Sequence, residues 1–145
     1  MQTHGEALGP VVDAQHAALA GSTGLTALLA TGEDSIFDGE APMTTAGGEP
    51  AADYLVISNP NGDGDAGLLM RPGANVRNII DIWATTQAAV LAIYTEIALV
   101  LDGQPLDLGE SLRFDSGRTR LLRAPRDPGR RRLYHGYVQY EAVVR

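Results

Sequence analysis

Neither cysteine nor lysine occurs anywhere in this 145-residue chain, and each absence removes a block of chemistry. Without cysteine there is no disulfide frame, thiolate zinc site, iron–sulfur cluster or cysteine nucleophile, and the redox compartment leaves no trace. Without lysine there is no Walker A phosphate loop, no kinase-type phosphate lysine and no Schiff base. All 11 basic residues are therefore arginine. Aromatic residues are also scarce, at 6%. No apolar run approaches the roughly 20 residues of a membrane helix, and the N-terminus lacks the basic-then-apolar layout of a signal peptide. The expectation is a soluble chain that is not exported by that route.

What remains is 44% apolar and 20% charged, enough to bury a core in one globular domain spanning residues 1–145. The formal charge of -7 is unevenly spread. Residues 1–102 hold 2 arginines against 13 acids, a balance of -11, and residues 103–145 hold 9 arginines against 5 acids, a balance of +4. The acidic whole argues against a surface that grips nucleic acid throughout, and the C-terminal third is the basic end.

The first thirty residues carry Leu8, Val11, Val12, Ala18, Leu19, Leu25, Leu28 and Leu29 at mostly helical spacing. Pro10 fits a first helical turn, and the break from Gly21 to Gly24 offers Ser22 or Thr23 as the cap of a second short helix that Gly32 ends. Ser35 to Asp38 reads as a brief strand, Tyr54 to Ser58 as a second, and Asn75 to Ala84 as a third, antiparallel to the second. The best helix is Gln87 to Leu101, capped by Thr85 or Thr86, with Val90, Leu91, Tyr94, Ile97, Ala98 and Leu101 as its apolar stripe and Asp102-Gly103 as its stop. The end of the chain is a β-ribbon, Arg118 to Ala124 and Arg132 to Val144, turning on Asp127-Pro128-Gly129. In its last strand Tyr134, Gly136, Val138, Tyr140, Ala142 and Val144 share the drier face. This order predicts an α+β fold, an antiparallel β-sheet with helices packed on one face.

Few residues offer chemistry. Asn59, Asn61, Asp63, Gly64 and Asp65 resemble the start of a calcium loop, but the twelfth position, where a bidentate Glu belongs, is Met70. A polar hairpin loop is the simpler reading, with a weak cation site as the other. His4, His16 and His135 stand far apart in no recognised ligand spacing, and His16 reads as a solvent-facing or cap residue. Gly21-Ser22-Thr23-Gly24 is not a nucleophile elbow, and the pairs Glu33/Asp34 and Asp38/Glu40 read as a solvated acidic rim. The arginines stand out: Arg118, Arg120, Arg123, Arg126, Arg130, Arg131 and Arg132 gather on the C-terminal hairpin, with Arg118 and Arg120 on one strand face. Their planar, bidentate donors suit an acidic protein surface or phosphate, while an edge ribbon kept soluble by charge is the plainer alternative. Because the rest of the chain is acidic, a head-to-tail self-association through this ribbon is physically attractive.

Four stretches in this order carry a resemblance: Tyr54-Leu55-Val56-Ile57, Asp81-Ile82-Trp83-Ala84 running into the helix, Leu101-Asp102-Gly103 closing it, and His135-Gly136-Tyr137-Val138-Gln139-Tyr140 in the last strand. Together with the N-terminal helix they make the chain similar to the small tail-terminator or tail-completion proteins of long-tailed bacteriophages and gene transfer agents. Two departures stand out: Asp53 occupies the position where a proline often precedes the first tyrosine, and the loop from Gly39 to Pro50 has no clear match. The resemblance implies a structural virion protein, not an enzyme, that forms a sixfold ring, caps the tail tube, ends its polymerisation and joins it to the head connector. DNA would pass through the lumen without specific binding, at the head-proximal end of a tail assembled in the host cytoplasm. It implies the tail tube protein and the head–tail connector protein as partners, no membrane and no cofactor or metal. A neck or head-closure protein of the same particle, and a small cytoplasmic metal-binding domain or enzyme using Asp63, Asp65 and His135, remain the alternatives.

Overall fold

A computed structural model describes residues 4–39, 53–58, 74–108, 114–123 and 133–144. The element order is α1 (His4–Ala20), α2 (Thr23–Thr26), a 3-10 turn (Gly32–Ser35), β1 (Ile36–Asp38), β2 (Tyr54–Ile57), β3 (Ala74–Ala84), α3 (Gln87–Leu101), β4 (Phe114–Arg123) and β5 (Tyr134–Val144). The strands form one sheet in the order β1-β2-β3-β5-β4, antiparallel throughout except that β1 runs parallel to β2. That exception has a simple cause: parallel neighbours cannot share a tight hairpin, and residues 39–53 lie between these two strands. The expected α+β arrangement is what the chain adopts, with a mixed sheet in place of a purely antiparallel one.

α3 explains the strand order. β3 and β4 flank β5 and run in the same direction, so their connection must cross over, and α3 does so by packing on β3, β5 and β4. Thr86 caps the helix by accepting the Ala89 N–H at 3.0 Å, a contact worth about 1 kcal/mol. Val90, Ile93, Ile97 and Leu101 are its buried residues. The expected stripe was therefore rotated. Ile93 takes a place in the core, whereas Leu91, 100° further round the helix than Val90, is 41% exposed.

The stop after α3 does more than end a helix. Gly103 sits at φ +71°, where a Cβ is unwelcome, and its N–H donates to the Gly117 carbonyl at 3.0 Å. The Asp102 carboxylate accepts the Thr119 N–H at 2.9 Å. These two bonds occupy backbone groups on the outer side of β4, so part of an edge strand that would otherwise recruit another strand is already covered.

At the N-terminus α1 begins at His4, ahead of the position expected from Pro10, which lies inside the helix. Proline has no N–H to return to the carbonyl four residues earlier, so the helix runs through with one internal bond missing. Ser22 caps α2 by accepting the Leu25 N–H at 3.2 Å. Asp53, in place of the anticipated proline, accepts the Thr85 N–H with its carboxylate at 2.8 Å and the Ala30 N–H with its carbonyl at 3.0 Å. It ties the start of β2 to the β3–α3 joint and to the end of the helical region.

The main core lies between the helices and one face of the sheet, with Leu19, Leu25, Leu55, Ile80, Ile82 and Val138 fully buried. A polar row crosses it. Asn78 of β3 stands opposite Tyr140 of β5, which stands opposite Thr119 of β4. Gln15 of α1 reaches down to Asn78 in a reciprocal amide pair at 2.8 and 2.9 Å. Among the described residues the Tyr140 hydroxyl has no hydrogen-bond partner, and burial pushes its ionisation well above the ordinary phenol range. Tyr140→Phe is therefore expected to leave stability unchanged or to raise it by up to about 1 kcal/mol, because the hydroxyl is desolvated without a hydrogen bond in return. Thermal denaturation checks this, and a clear fall in melting temperature would mean the hydroxyl is bonded after all.

Candidate functional site

The far face of the sheet, turned away from the helices, collects the residues that the core does not use. It begins with alternation: in β3, Asn78, Ile80 and Ile82 point to the helices, so Arg77, Ile79, Asp81 and Trp83 take the other side. The register carries that side onto β5 as Glu141, Gln139, Tyr137 and His135. On β4 the partners of Glu141 and Gln139 are Arg118 and Arg120, both exposed. An uninterrupted ladder would set Leu122 opposite Tyr137. A bulge between Leu121 and Arg123 shifts the register so that position 123 stands there instead. Positions 118, 120 and 123 thus share one row along the edge strand, as a consequence of the bulge rather than of sequence alternation alone.

Electrostatics differ between the two faces. Arg77 Nε meets Glu141 Oε2 at 3.1 Å, so the acid that stands opposite Arg118 is already engaged. No described residue forms an ion pair with Arg118 or Arg120. The helix side carries the acids Asp13, Glu33, Asp34, Glu96, Asp102 and Asp107, and no arginine occurs in residues 4–35 or 87–108. Among the described residues the helix side thus carries acids and no arginine, while the far face carries the arginines together with Asp81 and Glu141. Arg126, Arg130, Arg131 and Arg132 lie outside the described residues.

The other half of the far face is aromatic, an assembly that no single segment of the sequence announces. Phe37 of β1 meets Tyr54 of β2 edge-on at 5.9 Å, and Tyr54 stacks on Trp83 of β3 at 6.4 Å. Trp83 lies flat on His135 of β5 at 3.8 Å and 3°, and His135 touches Tyr137 at 4.1 Å. Tyr54, Val56 and Leu133 form a second small buried cluster here, to which no described helix contributes. The signal was present in pieces, since Tyr54, Asp81, Trp83 and His135 all fall in the stretches that carry the resemblance; only the register puts them side by side.

His135 Nε2 lies 2.8 Å from Asp81 Oδ1, and Ser58 Oγ donates to Asp81 Oδ2 at 3.2 Å. The order of this trio decides its chemistry. Asp81 is central and accepts from both sides, so no imidazole stands against the serine to take its proton, and a serine nucleophile is not assembled. The trio instead fixes the His135 ring against Trp83. The other histidine with a carboxylate partner, His16, places Nδ1 at 2.8 Å from Asp38 Oδ1 and ties α1 to the end of β1.

Other candidates resolve plainly. Ser22 is a helix cap, Glu33 and Asp34 are exposed in the 3-10 turn, and Glu40 lies outside the described residues. So do Asn59, Asn61, Asp63, Gly64, Asp65 and Met70, and His4 has no described side chain. Among the described residues no cluster of three or more His, Asp or Glu side chains has metal-binding geometry. No helix among them is long and apolar enough to cross a membrane.

Among the described residues, the far face thus combines paired aromatics with the exposed Arg118 and Arg120. The chain is similar to a protein in the structure entitled "Virion of native gene transfer agent (GTA) particle", with a TM-score of 0.59, 18% identity, 94% of this chain covered and 95% of the other, which shows a shared fold. Among curated proteins none matches. The model of the family described as tail completion protein gp17 matches residues 13–145, nearly the whole chain. The chain therefore belongs to the tail completion protein gp17 family, the structural proteins of phage-type tails.

Proposed function

We propose that this chain caps the tail tube as a ring, ends tube polymerisation and joins the tail to the head connector, without catalysing a reaction or needing a cofactor. The observation that carries this reading is the placing of charge: Arg118 and Arg120 stand exposed along one sheet edge, and the described residues of the helix side bear acids and no arginine. Two unlike, complementary patches on one chain favour a head-to-tail contact, and a head-to-tail contact closes into a ring when its rotation allows. Six copies, the tube protein on one side and the connector on the other complete the assembly, at the head-proximal end of a particle built in the host cytoplasm. The arginine ribbon makes subunit or tube contacts rather than lining the channel. Each phosphate neutralised by an arginine adds salt-dependent affinity, which would hold back DNA that has to slide through.

The test is charge reversal. Arg118→Glu with Arg120→Glu is expected to abolish ring formation and tube capping while leaving the fold intact, because both side chains are exposed. Size-exclusion chromatography with light scattering reads the ring, and electron microscopy of tubes grown with the variant reads the capping. Rings and normal tube lengths in the variant would remove the arginines from the interface.

A further inference from the structure

We infer that the solvent face of α3 is the acceptor surface on which a second copy of this chain seats its arginine-bearing sheet. This rests on the ring reading and specifies the other half of its contact. Ala88, Leu91, Ala92, Thr95 and Leu99 are all exposed and lie along one side of the helix, with Leu91 41% and Leu99 66% accessible. From first to last the strip is about 16 Å long at 1.5 Å per residue. Its single polar side chain is already satisfied, since Thr95 Oγ donates to the Leu91 carbonyl at 2.9 Å.

The solvent side of an amphipathic helix is normally charged, and α3 departs from that rule. Its one charged residue, Glu96, lies to the flank and is folded against α2, where a Cβ on Gly24 would come within 2.6 Å of the carboxylate. Asp102, just past the end of the helix, has its carboxylate turned to the Thr119 N–H. The result is an apolar strip with acids at its margins, the layout of an interface core and rim.

The choice of occupant follows from charge. Two copies meeting strip to strip would press two acid-flanked patches together, with no arginine in residues 87–108 to offset their charge. The far face of the sheet offers the complement: Arg118 and Arg120 without described ion-pair partners, beside the half-buried Trp83 and Tyr137. Arginine and aromatic residues are the types that most often anchor such contacts. A patch that differs from its partner patch leaves every copy with one donor and one acceptor side, as a ring requires.

Leu91→Glu with Leu99→Glu blocks the acceptor, and Arg118→Glu with Arg120→Glu blocks the donor. Each variant alone is expected to associate about 100-fold more weakly than the parent chain or worse, and to sediment as a monomer. Mixed in equal amounts they are expected to form a one-to-one heterodimer and nothing larger, because only one intact donor then faces one intact acceptor. Circular dichroism reports whether each variant is folded, and Leu91→Ser with Leu99→Ser supplies the same readout if the double glutamate does not fold. A parent chain that stays monomeric at every concentration in sedimentation velocity, both alone and with tail tubes added, overturns the ring reading itself. A parent that forms rings while the leucine variants do so equally well overturns the α3 surface alone, and a mixture that never forms the heterodimer overturns the pairing of these two faces.

Discussion

Asn78→Leu is expected to destabilise the fold by about 3 kcal/mol, at the upper end of the cost of orphaning a buried polar group. Asn78 is 3% exposed and Gln15 is fully buried, and each amide both donates to and accepts from the other. Removing one side leaves the Gln15 N–H and C=O without water or partner, and leucine fills the vacated volume, so the loss measures hydrogen bonding rather than a cavity. In a chain of this length that corresponds to about 10 °C in melting temperature. Gln15→Leu alone is expected to cost a similar amount. The double variant Gln15→Leu/Asn78→Leu is expected to recover most of the loss, since no orphaned group remains. A double variant that is destabilised by the sum of the two singles would show that the amides act independently and that the reciprocal pair contributes nothing as a pair.

Gly136→Ala is expected to cost about 2 kcal/mol for the opposite reason, overpacking. Gly136 stands opposite Ile82 on the helix side of the sheet, and α3 comes down on it through Val90. A Cβ at position 136 would lie 2.6 Å from Val90 Cγ1 and 3.6 Å from Ile82 Cβ. Val90 is fully buried and β-branched, so its methyl has little rotamer freedom with which to move aside. Either α3 lifts from the sheet or the valine leaves its well, and both loosen the contact between the crossover helix and the strand at the centre of its path. The compensating variant Val90→Ala in the Gly136→Ala background is expected to regain part of the stability, although Val90→Ala alone in the parent chain destabilises. A double-mutant cycle by denaturant unfolding reads this coupling, and strict additivity would mean that the close approach is not what position 136 requires.

These two sites show where sequence reasoning stops. Gly136 is visible in the sequence as a small residue on the drier face of the last strand, but nothing local says which side chain of which helix comes to rest on it. Gln15 and Asn78 lie 63 positions apart, and each alone looks like a polar interruption of an apolar face. The aromatic row has the same character. Asp81 and Trp83 were readable as neighbours on one side of β3, yet their meeting with His135, Tyr54 and Ser58 depends on β3 lying between β2 and β5. The rotation of the α3 stripe, with Ile93 buried and Leu91 exposed, likewise reflects how the helix was set down across three strands rather than its own periodicity.

The set of elements is legible in the chain itself: helices from apolar spacing and caps such as Ser22 and Thr86, strands from alternation or a β-branched and aromatic run, the α3 stop at Asp102-Gly103, and a basic end made only of arginine. These are short-range matters, decided by hydrogen bonds within four residues and by the period of side-chain direction along the chain. The strand order β1-β2-β3-β5-β4, the parallel start, the bulge that aligns position 123 with Arg118 and Arg120, and the gathering of the described arginines on the face away from the helices come from the packing of the whole chain. The physical reason is that register and layer are settled by which apolar faces bury one another, a competition among segments far apart in the chain.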